Sequence, residues 1–463
     1  MLAVAPKLRP SLDPEFLPAS LWSRAYRALV AADAGARPFA LALVRPDGTA
    51  FRHESRVLAA THPQAALNVT YAERLLKFLL WMKGGSKVLV AGADDIATAL
   101  AHTYRPMGTR AFDHEFMGEK VFGENFSVAA VRFENLPAER ETTLPMGRHL
   151  KGCRIGFDLG GSDRKAAALI DGKVVFSEEI PWDPYFQKDP AYHIDGVHDS
   201  IARAAKHLPR VDAIGGSSAG VYVNNEVRVA SLFRGVPADQ FEKHIRRMFF
   251  TLQERWGGVP FEVVNDGEVT ALAGSMSIGD NAVLGIAMGT SLAAGYVTPE
   301  GNITSWLNEL AFAPMDYRVD GPRDEWSGDR GVGAQYFSQQ GVGRLAVPAG
   351  FSFGTMPLPE QLIEVQNAMK AGDAKARAIY DTIGVCFGYA IAHYADFYDI
   401  RNLLILGRVT SGAGGELIIE RAKDVLRAEF PELAEKIRLL TPDEKSKRHG
   451  QATAAASLPA PRG

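Results

Sequence analysis

The 463-residue chain has few cysteines: only Cys153 and Cys386 occur, and neither lies in a pair with the spacing of metal ligands. A disulfide framework and a structural zinc site are therefore not expected. Such sparing use of cysteine suits a reducing compartment, so we expect a cytoplasmic protein.

The sequence also lacks a strong charge imbalance and a long apolar run. Its net charge is −3, so it lacks the excess of basic residues that is typical of proteins that bind nucleic acid. The most apolar early stretch, Leu75 to Met82, is interrupted by Lys77 and is far shorter than the ~20 residues that a membrane span needs. Prolines break the first ten residues before a signal-peptide core can form. Neither nucleic acid nor a membrane is expected as a partner.

Residues 1–150 have the pattern of a separate α/β domain, whose role the sequence does not reveal. The predicted elements are strands at 39–44 and 49–53 around the turn Pro46-Asp47-Gly48, an amphipathic helix at 67–82 and a buried strand at 87–91. The stretch 136–152 shows no periodicity and is interpreted as a linker. No helix-turn-helix of DNA-binding type is apparent in this part.

Two glycine-bearing turns that follow predicted strands are candidate phosphate sites. They are Asp158-Leu-Gly160-Gly161-Ser162 and Gly289-Thr290-Ser291. Glycine lets backbone N–H groups approach an anion closely because no Cβ intervenes, and the Asp158 carboxylate could hold a hydrated Mg²⁺. Taken alone, each turn could also be purely structural, since neither a Walker-A lysine nor a Rossmann glycine pattern is present.

The pair Asn265-Asp266 ends an apolar strand at 261–264 and precedes a predicted helix. A carboxylate at a strand end that faces a cleft can accept the proton of a hydroxyl nucleophile. The alternative is that Asp266 only caps the helix, a position for which aspartate is favoured.

A further glycine, Gly407, follows the predicted strand at 403–406 and begins a glycine-rich turn. Small residues here could admit the flat face of a nucleobase. The alternative is a crowded turn between a strand and a helix.

The order and spacing of these motifs resemble the sugar kinase, actin and Hsp70 superfamily, and within it the ROK family of bacterial glucokinases and related sugar kinases. The resemblance covers residues 151–460 and includes the small-residue stretch Gly450 to Ser457. It implies two RNase H-like α/β lobes of the actin-like ATPase fold, with the N-terminal α/β domain as an extra unit. The first lobe would comprise residues 151–268 with a C-terminal helix at 443–460, and the second lobe residues 269–442.

The resemblance also implies roles for individual residues. Asp266 would be the catalytic base. The residues that would bind ATP and its phosphates are Asp158, Gly160, Gly161, Ser162, Gly289, Thr290 and Gly407, with Mg²⁺ held by Asp158 directly or through water. The residues that would bind the substrate are Asn265, Glu309, Ser231 and Gln335.

The chain departs from the family pattern at several positions near these sites. Gln335 and Ser231 lie near the positions of a glutamate and an asparagine of the family's sugar site, Glu268 replaces an asparagine, and Ser291 replaces a glycine. Phe312 stands where the family often has a histidine before a cysteine-rich zinc loop, and no cysteine lies between residues 154 and 385, so zinc is not expected. Arg408 replaces the second glycine of the adenosine turn. The phosphate and base positions are kept better than the sugar positions, which favours a changed acceptor.

The expected function is ATP-dependent transfer of a phosphoryl group to a hydroxyl of a sugar or sugar-like small molecule, with Mg²⁺ as cofactor. One alternative is a sugar-binding regulatory protein of kinase fold without turnover. Another is a kinase for a non-sugar polyol or an acyl phosphate. A homodimer is compatible with the sequence.

Overall fold

The computed structural model describes residues 2, 4–141, 146–442 and 444–460, and within these ranges it contains four β-sheets. Helices and strands alternate along the chain, as expected of a mixed α/β protein. Among the described residues, no helix combines the length and apolarity needed to cross a membrane.

A four-stranded sheet in the order β2-β1-β3-β4 lies at the centre of the N-terminal segment. The elements here are α1 (Ala19–Ala32), β1 (Arg37–Val44), β2 (Ala50–Val57), α2 (Leu67–Lys83), β3 (Lys87–Ala91), α3 (Asp94–Thr103), α4 (Ala111–Glu115) and β4 (Ser127–Val131). β1 and β2 pair antiparallel, and the turn between them contains Gly48 at a φ of 80°, which favours glycine. The predicted strands and helix are confirmed, although β2 extends to Val57 because pairing with β1 continues to Arg37.

A five-stranded sheet in the order β11-β8-β5-β6-β7 follows. Its strands and the neighbouring elements are β5 (Cys153–Leu159), β6 (Asp163–Ile170), β7 (Lys173–Pro181), α5 (Pro190–Ala205), β8 (Ala213–Ser218), β9 (Val221–Val223), β10 (Glu226–Val229), α6 (Ala238–Gln240), α7 (Met248–Arg255) and β11 (Phe261–Asn265). β9 and β10 form a separate two-stranded hairpin. β5, β8 and β11 are parallel, so their carboxyl ends lie at one edge of the sheet.

The last sheet has the order β13-β12-β14-β15. The remaining elements are α8 (Asp266–Ile278), β12 (Val283–Met288), β13 (Leu292–Val297), α9 (Gln339–Ala349), α10 (Leu358–Lys370), α11 (Ala374–Tyr394), β14 (Asn402–Leu406), α12 (Ala413–Glu429), α13 (Pro431–Lys436), β15 (Arg438–Leu440) and α14 (Glu444–Ala456). β12 and β14 are parallel, so the glycine turns after them also share an edge.

The C-terminal helix α14 packs against the five-stranded sheet, on β5, β6 and β8. A Cβ at Gly156 would collide with the Ala452 carbonyl, and one at Gly215 with the Ala455 carbonyl. The backbones can therefore approach only because both strand positions are glycine. The helix begins at Glu444, and residue 443 of its predicted range lies outside the described residues.

The apolar core of the N-terminal segment is continuous with that of the last sheet. Trp81 of α2 contacts Phe312, with ring centroids 4.4 Å apart, and Phe78 stacks on Phe397 at 4.1 Å. These side chains belong to one buried cluster, whereas the five-stranded sheet has its own cluster around Phe157. The core of the N-terminal segment is therefore shared with residues from Leu284 onward and with Val221 of the β9–β10 hairpin, not with the five-stranded sheet.

Candidate active site

The edge formed by the carboxyl ends of β5, β8 and β11 brings Asp158 close to Asp266. In the parallel register Asp158 is aligned with Ser217, and Ser218 with Asn265. Asp266 directly follows β11, so both carboxyl groups stand at the same ends of the two strands that flank β8. The negative charge of Asp158 raises the pKa of Asp266. Ligand sites commonly lie at such edges of α/β sheets.

Asn265 caps helix α8. Its side-chain oxygen accepts a hydrogen bond from the Gly267 amide at 2.7 Å, and its side-chain nitrogen donates to the Gly220 carbonyl at 2.7 Å. Asp266, the first residue of the helix, also accepts from the Gly267 amide, at a longer 3.0 Å. The capping role that the sequence left open for Asp266 is thus filled mainly by its neighbour.

The environment of Asp266 makes it a weaker acid than usual. Burial raises the pKa of Asp266 to about 6, and the charge of Asp158 contributes to the shift. The helix N-terminus would favour the ionised form, but burial outweighs it. A carboxylate with a pKa near 6 is still ionised at neutral pH and is a better proton acceptor than an ordinary aspartate.

Two glutamates extend this acidic group. Burial raises the pKa of Glu309 to about 7, and the Asp266 charge adds to the shift. Burial likewise raises the pKa of Glu268 to about 8, opposed by hydrogen bonds from Asn308 and from the Tyr296 amide at 3.2 Å. The charge of Glu309 also adds to the shift of Glu268, so the protonation of each of these carboxyl groups affects that of its neighbours.

The first glycine turn is covered by the segment that follows β7. Trp182 donates its indole N–H to the Gly160 carbonyl at 2.7 Å, and a Cβ at Gly161 would collide with the Tyr185 hydroxyl. The Ser162 hydroxyl donates to Asp163 at 2.9 Å. Asp158 is 8% exposed, and burial raises its pKa.

The second glycine turn approaches the beginning of α8. Gly267 packs against the Ala294 carbonyl of β13, and Gly295 packs against the Gly267 carbonyl, in both cases where a Cβ would collide. Gly289 and Thr290 lie a few residues before Ala294, and Thr290 is exposed. Gly407, with a φ of 103°, sits against the Met288 backbone beside this turn. These contacts place β13 against the start of α8 and Gly407 beside the end of β12. That both glycine turns surround Asp266 stays a prediction.

Two residues that were predicted to bind the substrate make their contacts outside the acidic group. Ser231 is exposed and begins a single 3₁₀ turn. Gln335 is buried, and its side-chain nitrogen donates to Gln340 and, at 3.4 Å, to Asp324. Among the described residues, the hydrogen bonds of Gln335 thus hold its own loop. Both residues stay predictions as substrate ligands.

A cavity of about 320 Å³ adjoins Asn265 and was not predicted. Its lining includes Arg45, Tyr222, Asn225, Asn265, Glu268 and Trp306. Glu268 could have been anticipated, because it lies three positions after Asn265 and so faces the same side of the helix. Nothing in the sequence signalled that Arg45, from the β1–β2 turn, would reach this wall.

Protein-family models and curated proteins give no match to this chain. Solved structures do. A ROK hexokinase from Thermus thermophilus superposes with a TM-score of 0.52 at 18% identity, over 66% of this chain and 97% of that one. A ROK-family transcriptional regulator, a homologue of the Escherichia coli Mlc protein, superposes with a TM-score of 0.51 at 18% identity, over 67% of this chain and 79% of that one.

The chain has a ROK-family fold. Because the two similar structures are a hexokinase and a transcriptional regulator, the ROK fold by itself is compatible with both kinds of function. The chemistry of the site must therefore decide between them.

Proposed function

We propose that this ROK-fold protein transfers the terminal phosphoryl group of ATP to a hydroxyl of a sugar or sugar-like small molecule. The observation that carries the proposal is the state of Asp266. It stands at the sheet edge where β5, with the first glycine turn, also ends. It is relieved of most of the capping role by Asn265, and its pKa of about 6 suits a general base.

In this proposal Asp266 accepts the proton of the attacking hydroxyl. Glu309, whose pKa is raised to about 7, can either accept or donate a hydrogen bond to another hydroxyl of the acceptor. Asn265 already uses its side-chain oxygen and one amide hydrogen internally, so its part is to fix the backbone at Asp266 and to offer its remaining N–H. Positioning of the hydroxyl relative to the base is the main contribution of these side chains.

The phosphate end of ATP is assigned to the two glycine turns. Gly160, Gly161 and Ser162 on one side and Gly289 and Thr290 on the other allow close approach of a backbone to an anion, and Gly407 marks the nucleoside end. The buried Asp158 carboxyl, aligned with Ser217 of the adjacent strand β8, fits a Mg²⁺ ligand, held directly or through water. Mg²⁺ would neutralise charge on the phosphate oxygens.

The finer architecture is part of the same proposal. Residues 151–268 with the helix at 443–460 would form one RNase H-like lobe and residues 269–442 the other, with the N-terminal segment as an addition. Two observations support this division. A strand in each of the two sheets is followed by a glycine turn, and helix α8 lies between the sheets. Closure of the lobes would exclude water, which competes with the acceptor hydroxyl.

A sugar-binding regulatory protein without turnover is the second candidate. It is favoured by the Tyr185 hydroxyl, which stands on the first glycine turn, and by Arg408, which follows Gly407. Both reduce the room for a nucleotide.

A coupled ADP-release screen across monosaccharides and amino sugars, with ATP and Mg²⁺, tests the proposal. We expect at least one acceptor to stimulate ADP release, and Asp266→Asn to abolish that stimulation. Sugar binding measured by calorimetry without any stimulated ADP release would instead support the regulatory candidate.

A further inference from the structure

The chain that carries Glu309 crosses the carboxyl end of the N-terminal helix α2. The Glu309 amide donates to the Trp81 carbonyl at 2.9 Å, and the Asn308 amide donates to the Met82 carbonyl at 3.0 Å. Carbonyl groups in the last turn of a helix lack partners within the helix. Here they are satisfied by the backbone of a residue in the candidate active site.

The turn after α2 is shaped for this crossing. Gly84 has a φ of 81°, and a Cβ there would press on the Leu307 side chain at 2.8 Å. The next free carbonyl, that of Lys83, accepts a hydrogen bond from Arg45, whose guanidinium also donates to the Ser305 carbonyl at 2.9 Å. The end of α2 is thus hydrogen-bonded to the segment from Ser305 to Glu309, both directly and through Arg45.

A buried charge cluster, defined here as Lys77, Arg110, Asp113 and Asp329, is centred on Lys77, which lies on α2 one turn before Trp81. The Lys77 ammonium contacts Asp113 at 2.9 Å and Asp329 at 2.6 Å, and Arg110 also pairs with Asp329. Lys77 and Asp113 have no exposed surface, and Asp113 also accepts the indole N–H of Trp81 at 2.6 Å. Three members come from the N-terminal segment, whereas Asp329 comes from the loop that follows Glu309.

Aromatic side chains pack between the hydrogen bonds at the end of α2 and the buried charge cluster. Phe312 packs on Trp81 with centroids 4.4 Å apart, and Trp326 meets Phe312 edge-on at 5.2 Å. The loop is therefore held at its start by helix carbonyls, in its middle by Trp81 and at its end by the buried charge cluster. All three attachments belong to residues that precede position 114.

We propose that the N-terminal segment contributes to the site and that Lys77 is a positioning residue. Lys77 holds Glu309 opposite Asp266 in two ways: by its ion pair with Asp329, and by fixing the helix whose Trp81 carbonyl binds the Glu309 amide. The significance of Glu309 rests on the function proposed above. The attachment itself does not, and it can be measured without any substrate.

The test uses the full chain with the double variant Lys77→Met/Asp113→Asn. It removes one positive and one negative group, so no buried charge is left without a partner: Arg110 still pairs with Asp329 and with Glu73. The matched control is Arg27→Met/Asp396→Asn, which breaks another ion pair between the N-terminal segment and the rest of the chain, at 2.9 Å and far more exposed.

Hydrogen exchange of the peptide containing Asn308 and Glu309 is the first readout. We expect exchange there to accelerate about tenfold or more in the Lys77 variant but not in the control, with the five-stranded sheet unchanged in both. Equal protection of this peptide in both variants would overturn the proposal, because well-packed apolar groups would then hold the loop as well as the charges do.

Kinetics with whichever acceptor the screen identifies give the second readout. We expect kcat to fall about tenfold or more and the KM for ATP to stay within about twofold, since only the acceptor side is displaced. Accelerated exchange with unchanged kcat would refute the role in positioning. If the wild-type chain turns over no acceptor, the proposed function fails, while the exchange result still decides the attachment.

Asp329→Asn serves if the double variant does not fold. It keeps the size of the side chain and leaves Lys77 with Asp113 and Arg110 with Glu73. The same acceleration at Asn308 and Glu309 is expected, and normal protection would overturn the proposal in the same way.

Discussion

Asn265 accepts the hydrogen bond from the Gly267 amide at 2.7 Å and so caps the helix that Asp266 begins. This hydrogen bond distinguishes two roles of Asp266, helix cap and catalytic base, that the sequence left open. If Asp266 is the base, Asp266→Asn keeps its shape but removes the proton acceptor. We expect kcat to fall by at least about a hundredfold while the melting temperature changes little. Both should be measured on the one variant, since a near-normal rate would mean that the base lies elsewhere.

The rate should depend on pH in a way that reports the buried position of Asp266. Its pKa is raised to about 6, and the base is active only when ionised. Because kcat/KM reports the pKa of the free enzyme, we expect kcat/KM for the acceptor to fall as the pH is lowered through about 6, well above the range of an exposed aspartate. A flat profile down to pH 5 would contradict this. Because Glu309 titrates in the same cluster, the observed midpoint belongs to the group of carboxyls.

Glu268 should make stability depend on pH. Its folded-state pKa is raised to about 8 from an ordinary 4.5, so the folded chain binds this proton more tightly than the unfolded chain. The stabilisation is complete below pH 4.5, decreases as the pH rises from 4.5 to 8 and is lost above 8, about 5 kcal/mol in all. Urea unfolding at pH 6 and pH 9 should show about 3 kcal/mol of this loss in the wild type and a smaller loss in Glu268→Gln. Glu364→Gln, an exposed change on α10, is the control and should behave like the wild type.

Gly161→Val should weaken ATP binding about tenfold or more, but two causes are possible. The side chain could occupy the place of the phosphate, or it could displace Tyr185, whose hydroxyl lies where the Cβ would be. Combining the change with Tyr185→Ala distinguishes them. If the phosphate is the cause, the double variant binds ATP as weakly as Gly161→Val, and titration calorimetry measures this directly. Recovery of affinity would show that the turn serves to seat Tyr185, and unchanged affinity in Gly161→Val would contradict the phosphate assignment.

Local sequence was sufficient for many of the parts. The strand at Lys87–Ala91, the hairpin around Gly48 and the helix from Leu67 were predictable because each depends on a short pattern of apolar residues and turn formers. The position of Asp266 at the junction of a strand and a helix was predictable for the same reason. Its roles and those of the glycine turns came from the order of motifs and stay predictions.

Only the tertiary structure determined which residues share an environment. Lys77 appears in the sequence as a charge that interrupts an apolar run, yet in the fold it has no exposed surface and contacts Asp329. Glu268 looks like an ordinary helical glutamate, but burial keeps its proton. Burial and pairing arise between segments far apart in the chain, and no local period encodes them. For the same physical reason the contact of Trp81 with Glu309, which joins the N-terminal segment to the site, could be found only in the folded chain.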